Sequence, residues 1–285
     1  MILHKEVLKL MNQCTDFLYH YTSIETLALI LSNRTFRLNS LDQMDDLQEK
    51  ETSDIKNIGQ FCYISSWTDD ETESIPMWKM YSSLDSGVRI KLKANPFKLF
   101  ENAPESIKEV SVLPVTDESN GVYLKSIIPI ADMMKKGYIC PAAMSNNILH
   151  KVEYTSDPSK LYPKLVTYED DKFSISLGTL GIHKNIHWEF QHEWRYILQF
   201  YPVNINQDPN ILPTSVQIMA NKILHGLEKQ PFPFYDLQLD DVAFSEMEIT
   251  LSHKISAGYR LIVNSLIEKY NPSALIHNSS LLGLI

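Results

Sequence analysis

Hydrophobic positions along this chain come in short bursts, some spaced by two and others by three or four, so the pattern predicts short strands mixed with short helices. Residues 1–14 place Ile2, Val7, Leu8, Leu10 and Met11 on one side of a predicted helix. Residues 17–21 read as a strand. Ser23 then caps a helix whose Ile24, Leu27, Ile30 and Leu31 keep helical spacing as far as Asn33, and residues 35–38 form a second strand. Residues 60–67 are rich in β-formers, and Ser74-Ile75-Pro76 opens a helix with proline in its first turn, carrying Trp78 and Tyr81. Further strands are expected at 87–93 and 152–154, and a helix at 172–183. The clearest pattern is residues 188–200, where Trp188, Phe190, His192, Trp194, Tyr196, Leu198 and Phe200 alternate with Glu189, Gln191, Glu193 and Arg195. Such alternation in one strand puts one face in the core and the other toward water or a ligand. A strand at 247–251, a helix at 257–270 and a strand at 274–277 close the chain, while 94–146 and 202–245 read as irregular. This mixture lacks the regular alternation of a barrel or doubly wound sheet and predicts an α+β fold. One domain is expected over residues 1–285, with its core at about 17–92, 150–200 and 246–282.

Charge and composition narrow the function. The net charge is −9, and residues 41–73 hold ten carboxylates against only Lys50 and Lys56. The remainder is near neutral without a basic stripe, which argues against a nucleic-acid partner and makes the acidic segment a solvated face or a dock for a protein target or antitoxin. Glycine is scarce, 9 in 285 residues, and neither GxGxxG nor GxxxxGK[ST] occurs, so a Rossmann dinucleotide site or P-loop is not expected. Cys14, Cys62 and Cys140 are odd in number, widely spaced and without CxxC, which fits a reducing cytoplasm. Interrupting charges at Lys5, Glu6 and Lys9 argue against a secretory signal, and no unbroken apolar run is long enough for a membrane span.

Four segments stand out: LYHYTS (18–23), FCYISSW (61–67), MWKMY (77–81) and HEWR (192–195), with all four tryptophans in or beside them. The HYT opening, a helix and then Arg37-Leu-Asn at a second strand resemble the start of the ADP-ribosyltransferase fold, whose first strand bears an H-x-T motif. Joined to the SSW strand, the MWxxY helix, a Gly-Val strand and the E-W-R strand, the same opening closely resembles an uncharacterised bacterial family known as a domain of unknown function. The likeness covers about residues 18–92, 152–154, 184–200 and, more weakly, 246–282. It departs at Asp45-Asp46, where that family favours Asn-Asp.

The resemblance implies an ADP-ribosyltransferase-like split mixed sheet with short flanking helices and an irregular middle insertion. It also implies NAD as substrate, and a toxin or phage-defence effector as the setting. Carried over residue by residue, the functional trio is His20, an aromatic and Glu193; Tyr81, Tyr63 and Trp78 compete for the aromatic place. Breaking the nicotinamide-ribose bond passes through an oxocarbenium-like state, which a fixed carboxylate stabilises. Glu193 would meet the ribose, Tyr81 or Trp78 would stack on nicotinamide, and His20 would hold the adenosine ribose, with Tyr21, Thr22, Tyr63, Ser65 and Arg195 around the cofactor. Arg195 has a second reading as the ion partner of Glu189 or Glu193. Three rivals remain open: a metal held by His183, His187 and His192, a Cys62 nucleophile beside His20, and a non-catalytic nucleotide-binding or interaction module.

Overall fold

The computed structural model describes residues 15–102, 124–144, 147–169, 172–202 and 212–284. The helix expected over residues 1–14 lies outside these. A nine-stranded sheet dominates: β1 (Phe17–Ser23), β2 (Thr35–Ser40), β3 (Cys62–Thr68), β4 (Gly87–Lys93), β5 (Leu149–Lys151), β6 (Glu193–Gln199), β7 (Phe234–Gln238), β8 (Glu248–Leu251) and β9 (Leu275–Asn278). The order is β7-β2-β3-β1-β4-β8-β9, with β6 along the other edge of β3 and β5 beyond it. Every pairing in this sheet is antiparallel except β8 with β9. The architecture is therefore α+β, as the residue pattern predicts.

Local chemistry accounts for the helices. The Ser23 hydroxyl accepts from the Thr26 amide at 3.2 Å and starts α1 (Ile24–Asn33), whose Ile24, Leu27, Ile30 and Leu31 are buried. The Ser74 hydroxyl likewise caps α2 (Ile75–Tyr81), with Pro76 in the first turn. Helix α3 (Ala257–Tyr270) is capped by Ser256 and packs against α1. Trp67, Tyr63, Tyr196, Phe36, Phe61 and Phe200 fill the core around β3 and β6.

Four expectations fail, the first being the irregular stretch 94–146, whose described residues hold a helix at Ile130–Lys136 and the antiparallel pair Phe100–Asn102 with Leu124–Ser126. Residues 172–183 are not a helix: Lys172–Ile175 pairs with Val166–Glu169 as a hairpin, and its half-buried Phe173 and Ile175 alternate with exposed Ser174. Residues 188–200 are not one strand, because Ile186–Gln191 is a tight helical turn and His192 is left-handed at φ 46° before β6 begins. The stretch 202–245 is not irregular where it is described, since it holds a helix at Leu212–Leu224 and β7, a full member of the sheet.

Candidate functional site

Strand β3 carries two partners on one edge. β1 meets it only at Tyr19↔Thr68, and β2 only at Asn39↔Ile64 and Ser40↔Tyr63. Between these contacts the edge of β3 around Ser65 and Ser66 is free of ladder bonds, and the sheet is split. His20 spans the gap: its Nδ1 lies 2.9 Å from the Ser66 carbonyl oxygen, which can only accept, so Nδ1 carries the proton. Its Nε2 is left as an acceptor in the neutral ring. Burial lowers the His20 pKa, against the Ser66 hydrogen bond, and favours that neutral form. The ring lies beside Phe36 and Trp67, with centroids at 5.4 and 5.0 Å.

Two cavities adjoin the split. One of about 620 Å³ is lined by His20, Tyr81, Trp188, Glu193 and the loop carrying Asp45 and Asp46. The other, about 1100 Å³, is lined by Thr22, Thr26, Arg37, Asn39, Ser65 and Asp236. His20, Tyr21, Met44, Ser66 and Tyr81 belong to both.

The floor of the first cavity is a buried cluster of four charges. Arg195 donates from Nε to Glu193 at 2.6 Å, from Nη2 to Glu193 at 3.1 Å and from Nη1 to the Gly181 carbonyl at 2.9 Å. Its Nη2 also lies 2.7 Å from Glu49. Lys184 donates to Glu193 at 3.0 Å and to the Gln191 side-chain oxygen at 2.9 Å, and lies 3.1 Å from Glu49. The four side chains are at most 8% exposed. Two carboxylates and two cations cancel, which makes the burial tolerable. Burial alone would raise the Glu193 pKa, but Arg195 and Lys184 outweigh it and hold the carboxyl at about 2. The Arg195 pKa is raised, Glu193 and Glu49 overcoming the burial that lowers it. Gln191 donates onward to the Tyr81 hydroxyl, whose pKa is pushed up to about 12 by burial and by the nearby Glu193 and Asp45 charges. The Glu193 amide donates to the Tyr154 hydroxyl at 2.8 Å, which fixes the start of β6.

His20, Tyr21, Tyr81, Glu193 and Arg195 thus converge on the first cavity, and Thr22 and Ser65 on the second. Tyr63 and Trp78 line neither. Tyr63 packs on Phe200 and donates to the Phe232 carbonyl, while Trp78 is fully buried and donates to Glu73 at 3.0 Å. Of the three competing aromatics, Tyr81 is therefore the one that reaches the cleft. The register also divides the trio, because Tyr19, Thr68 and Glu193 are paired across the sheet and share a face, which places His20 on the other. Strand β3 stands between β1 and β6, and the two side chains leave opposite faces of the sheet, which counts against a shared site; they come together only in that both line the first cavity. Arg195 is buried against Glu193 and Glu49, so of its two readings the ion pair with Glu193 is the one its contacts show.

The buried pair Glu49 and Lys184 had no sequence signal: Glu49 sits inside the acidic run and Lys184 precedes the aromatic turn. Cys62 is buried with its thiol pushed up to about 12 by burial, and it lines neither cavity, so it does not serve as a nucleophile there. His183 lies 3.3 Å from Glu153, while His187 and His192 are exposed. Among the described residues, no group of three His, Cys, Asp or Glu is placed to hold a metal ion. No helix of the described residues is long and apolar enough to cross a membrane. No family model matches the chain, and no curated protein or solved structure matches it either.

Proposed function

We propose that the chain binds NAD across the split between β1 and β3 and cleaves its nicotinamide-ribose bond, as an ADP-ribosyltransferase or NAD glycohydrolase does. One observation carries this reading: His20, Tyr81 and Glu193, far apart in sequence, line one cavity at the break in the sheet. Tyr81 offers a half-buried ring for the nicotinamide. Glu193, ionised at neutral pH and held by Lys184 and Arg195, supplies fixed negative charge for an oxocarbenium-like ribose. The second cavity, with its hydroxyls and amides, suits the adenosine half, and His20 Nε2 can accept from a ribose hydroxyl. Lys184, Arg195 and Arg37 are each ion-paired, so the pyrophosphate would rest on neutral donors such as Thr22, Thr26 and Asn39. A toxin or phage-defence role in the cytoplasm is the setting this chemistry suits.

A second reading, binding of a nucleotide without turnover, is favoured by one detail. Both Glu193 oxygens already have cationic partners, and a carboxylate so occupied has less freedom to meet a ribose.

Incubation with NAD and measurement of free nicotinamide separates the readings. Glu193→Gln alone would leave the buried cluster with an unmatched positive charge. Glu193→Gln with Lys184→Gln keeps it neutral and is the fair variant. The expected result is that the double variant retains an NAD-dependent rise in melting temperature while nicotinamide release falls by about 10² to 10³. Undiminished release sinks the assignment of Glu193. Absence of any NAD-dependent shift in the parent at millimolar ligand sinks the NAD reading itself.

A further inference from the structure

The helix that brings Tyr81 to the cleft is too short to hold itself. Ile75–Tyr81 is seven residues long, and helices under roughly 12 residues are marginal in water on their own. Its place therefore depends on what grips it. One grip is the sheet: Trp78 stacks edge-on against Tyr21 with centroids at 5.0 Å, and the Tyr21 hydroxyl accepts from the Ser74 amide at 3.0 Å. A second grip comes from residues about two hundred positions later in the chain, those that follow β9.

Glu73, one residue before the cap Ser74, is the hook. Its Oε2 accepts from the Ser279 hydroxyl at 2.5 Å and from the Trp78 indole at 3.0 Å, and its Oε1 accepts from the Ser280 amide at 2.6 Å. Three donors converge on one side chain, which suits an ionised carboxylate, with two accepting oxygens and no hydrogen of its own. Burial would raise the Glu73 pKa, but these bonds outweigh it and hold the carboxyl below the usual range. Beside the hook, the Ser279 hydroxyl oxygen accepts from the Leu281 amide at 3.1 Å. The Leu281 side chain packs on Tyr21, Met77 and Trp78, the small apolar cluster that Tyr81 and Leu84 also join. The segment is anchored in turn, because the Ser279 amide donates to the Leu251 carbonyl of β8 at 3.1 Å. Ser279 is buried, whereas Leu282 and Leu284 are exposed, so the hold ends at Leu281.

We infer that residues 279–281 are a strap, hooked by Glu73, that sets where the 75–81 helix lies and with it the place of Tyr81 on the two cavities. Glu73 lines neither cavity and acts through the helix, as a positioning residue. The strap stands on the contacts above, while its consequence for NAD rests on the proposed function.

Hydrogen exchange on the full chain tests the strap without any ligand. Glu73→Gln keeps the shape but turns an NH₂ group toward one of the three donors. Ser279→Ala with Leu281→Ala removes the strap's half of the grip. Either change should speed exchange of the Trp78–Tyr81 amides at least about tenfold while β3 and β6 keep the parent rate. Combining them should add little, since both undo one hook. Leu281 is half-buried, so Leu281→Ala alone serves if the other variants do not fold. Unchanged exchange at 78–81, or equal acceleration in β3 and β6, overturns the strap. In NAD turnover the same variants should raise KM at least about fivefold with a smaller change in kcat, the pattern of lost binding by a displaced ring. A parent that turns NAD over beside variants of parental KM overturns the positioning role. A parent that neither binds nor cleaves NAD ends the NAD reading alone, and the exchange rates still decide the strap.

Discussion

Lys184 has three oxygen partners and is 8% exposed on its side chain. Removing it strands Glu49 and Glu193 around Arg195 alone, with an excess negative charge in a buried place. Breaking such a cluster by deleting one partner costs about 3–5 kcal/mol. Lys184→Met should therefore lower the unfolding free energy measured by urea titration by that much, whereas Lys160→Met, whose 3.6 Å pair with Glu153 is half-exposed, should change it by less than about 1 kcal/mol. Equal effects of the two would mean that the buried cluster is not what holds the loop and turn to β6. At this scale the sequence was informative where a motif framed the residue. The HYT and EWR motifs mark His20 and Glu193. Glu49 and Lys184 were hidden because their burial arises only when the acidic loop folds back over β6, and nothing in a run of carboxylates marks the one that is enclosed.

The turn into β6 illustrates a limit of periodicity. Trp188, Phe190 and His192 continue the alternation of Trp194, Tyr196 and Leu198, so the sequence reads as one strand. A left-handed residue leaves no trace in a hydrophobic pattern, yet His192 at φ 46° bends the chain and lets Ile186–Gln191 coil back toward the cleft. That bend carries Gln191 to Lys184 and Tyr81. Left-handed backbone is open to glycine and costs a β-branched residue on the order of 1–2 kcal/mol. The His192 side chain is exposed, so little packing is lost on replacement. His192→Gly should be neutral or stabilising by up to about 1 kcal/mol, and His192→Val destabilising by about 1–2 kcal/mol, in thermal unfolding. The opposite order would mean that the turn does not need its left-handed residue. Elements marked by a local device were legible: Ser23 and Ser74 announced α1 and α2, and β4 and α3 fall at the expected residues. Strand β7 was not, because its place depends on pairing with β2, about two hundred residues earlier.

Across the whole molecule, a group buried at the split in the sheet ties stability to pH. Glu193 has a folded pKa of about 2 against an ordinary 4.5, because Arg195 and Lys184 outweigh its burial. A depressed acid stabilises the fold fully above its unfolded value and loses that contribution as pH falls toward the folded one. His20 acts in the same direction for a different reason. Burial lowers its pKa below 6.5, so the unfolded chain gains the proton first and stability declines as pH falls below 6.5. The urea midpoint of the parent should thus drift down from about pH 6.5 and fall more steeply between about pH 5 and pH 2. Glu73 contributes to the lower limb as well, since hydrogen bonds from Ser279, Ser280 and Trp78 overcome its burial and hold it low. Comparison with variants isolates each group. His20→Gln should reduce the drift near pH 6, the remainder of which belongs to His150, whose pKa burial also lowers, and the charge-balanced pair Glu193→Gln with Lys184→Gln should reduce only the acid limb. A parent midpoint constant from pH 6 to pH 3 would show that neither group is held in the protonation state that the split sheet dictates. A loss shared equally by the charge-balanced pair would place the acid sensitivity in Glu73 and the other carboxylates, and take it away from the floor of the cleft.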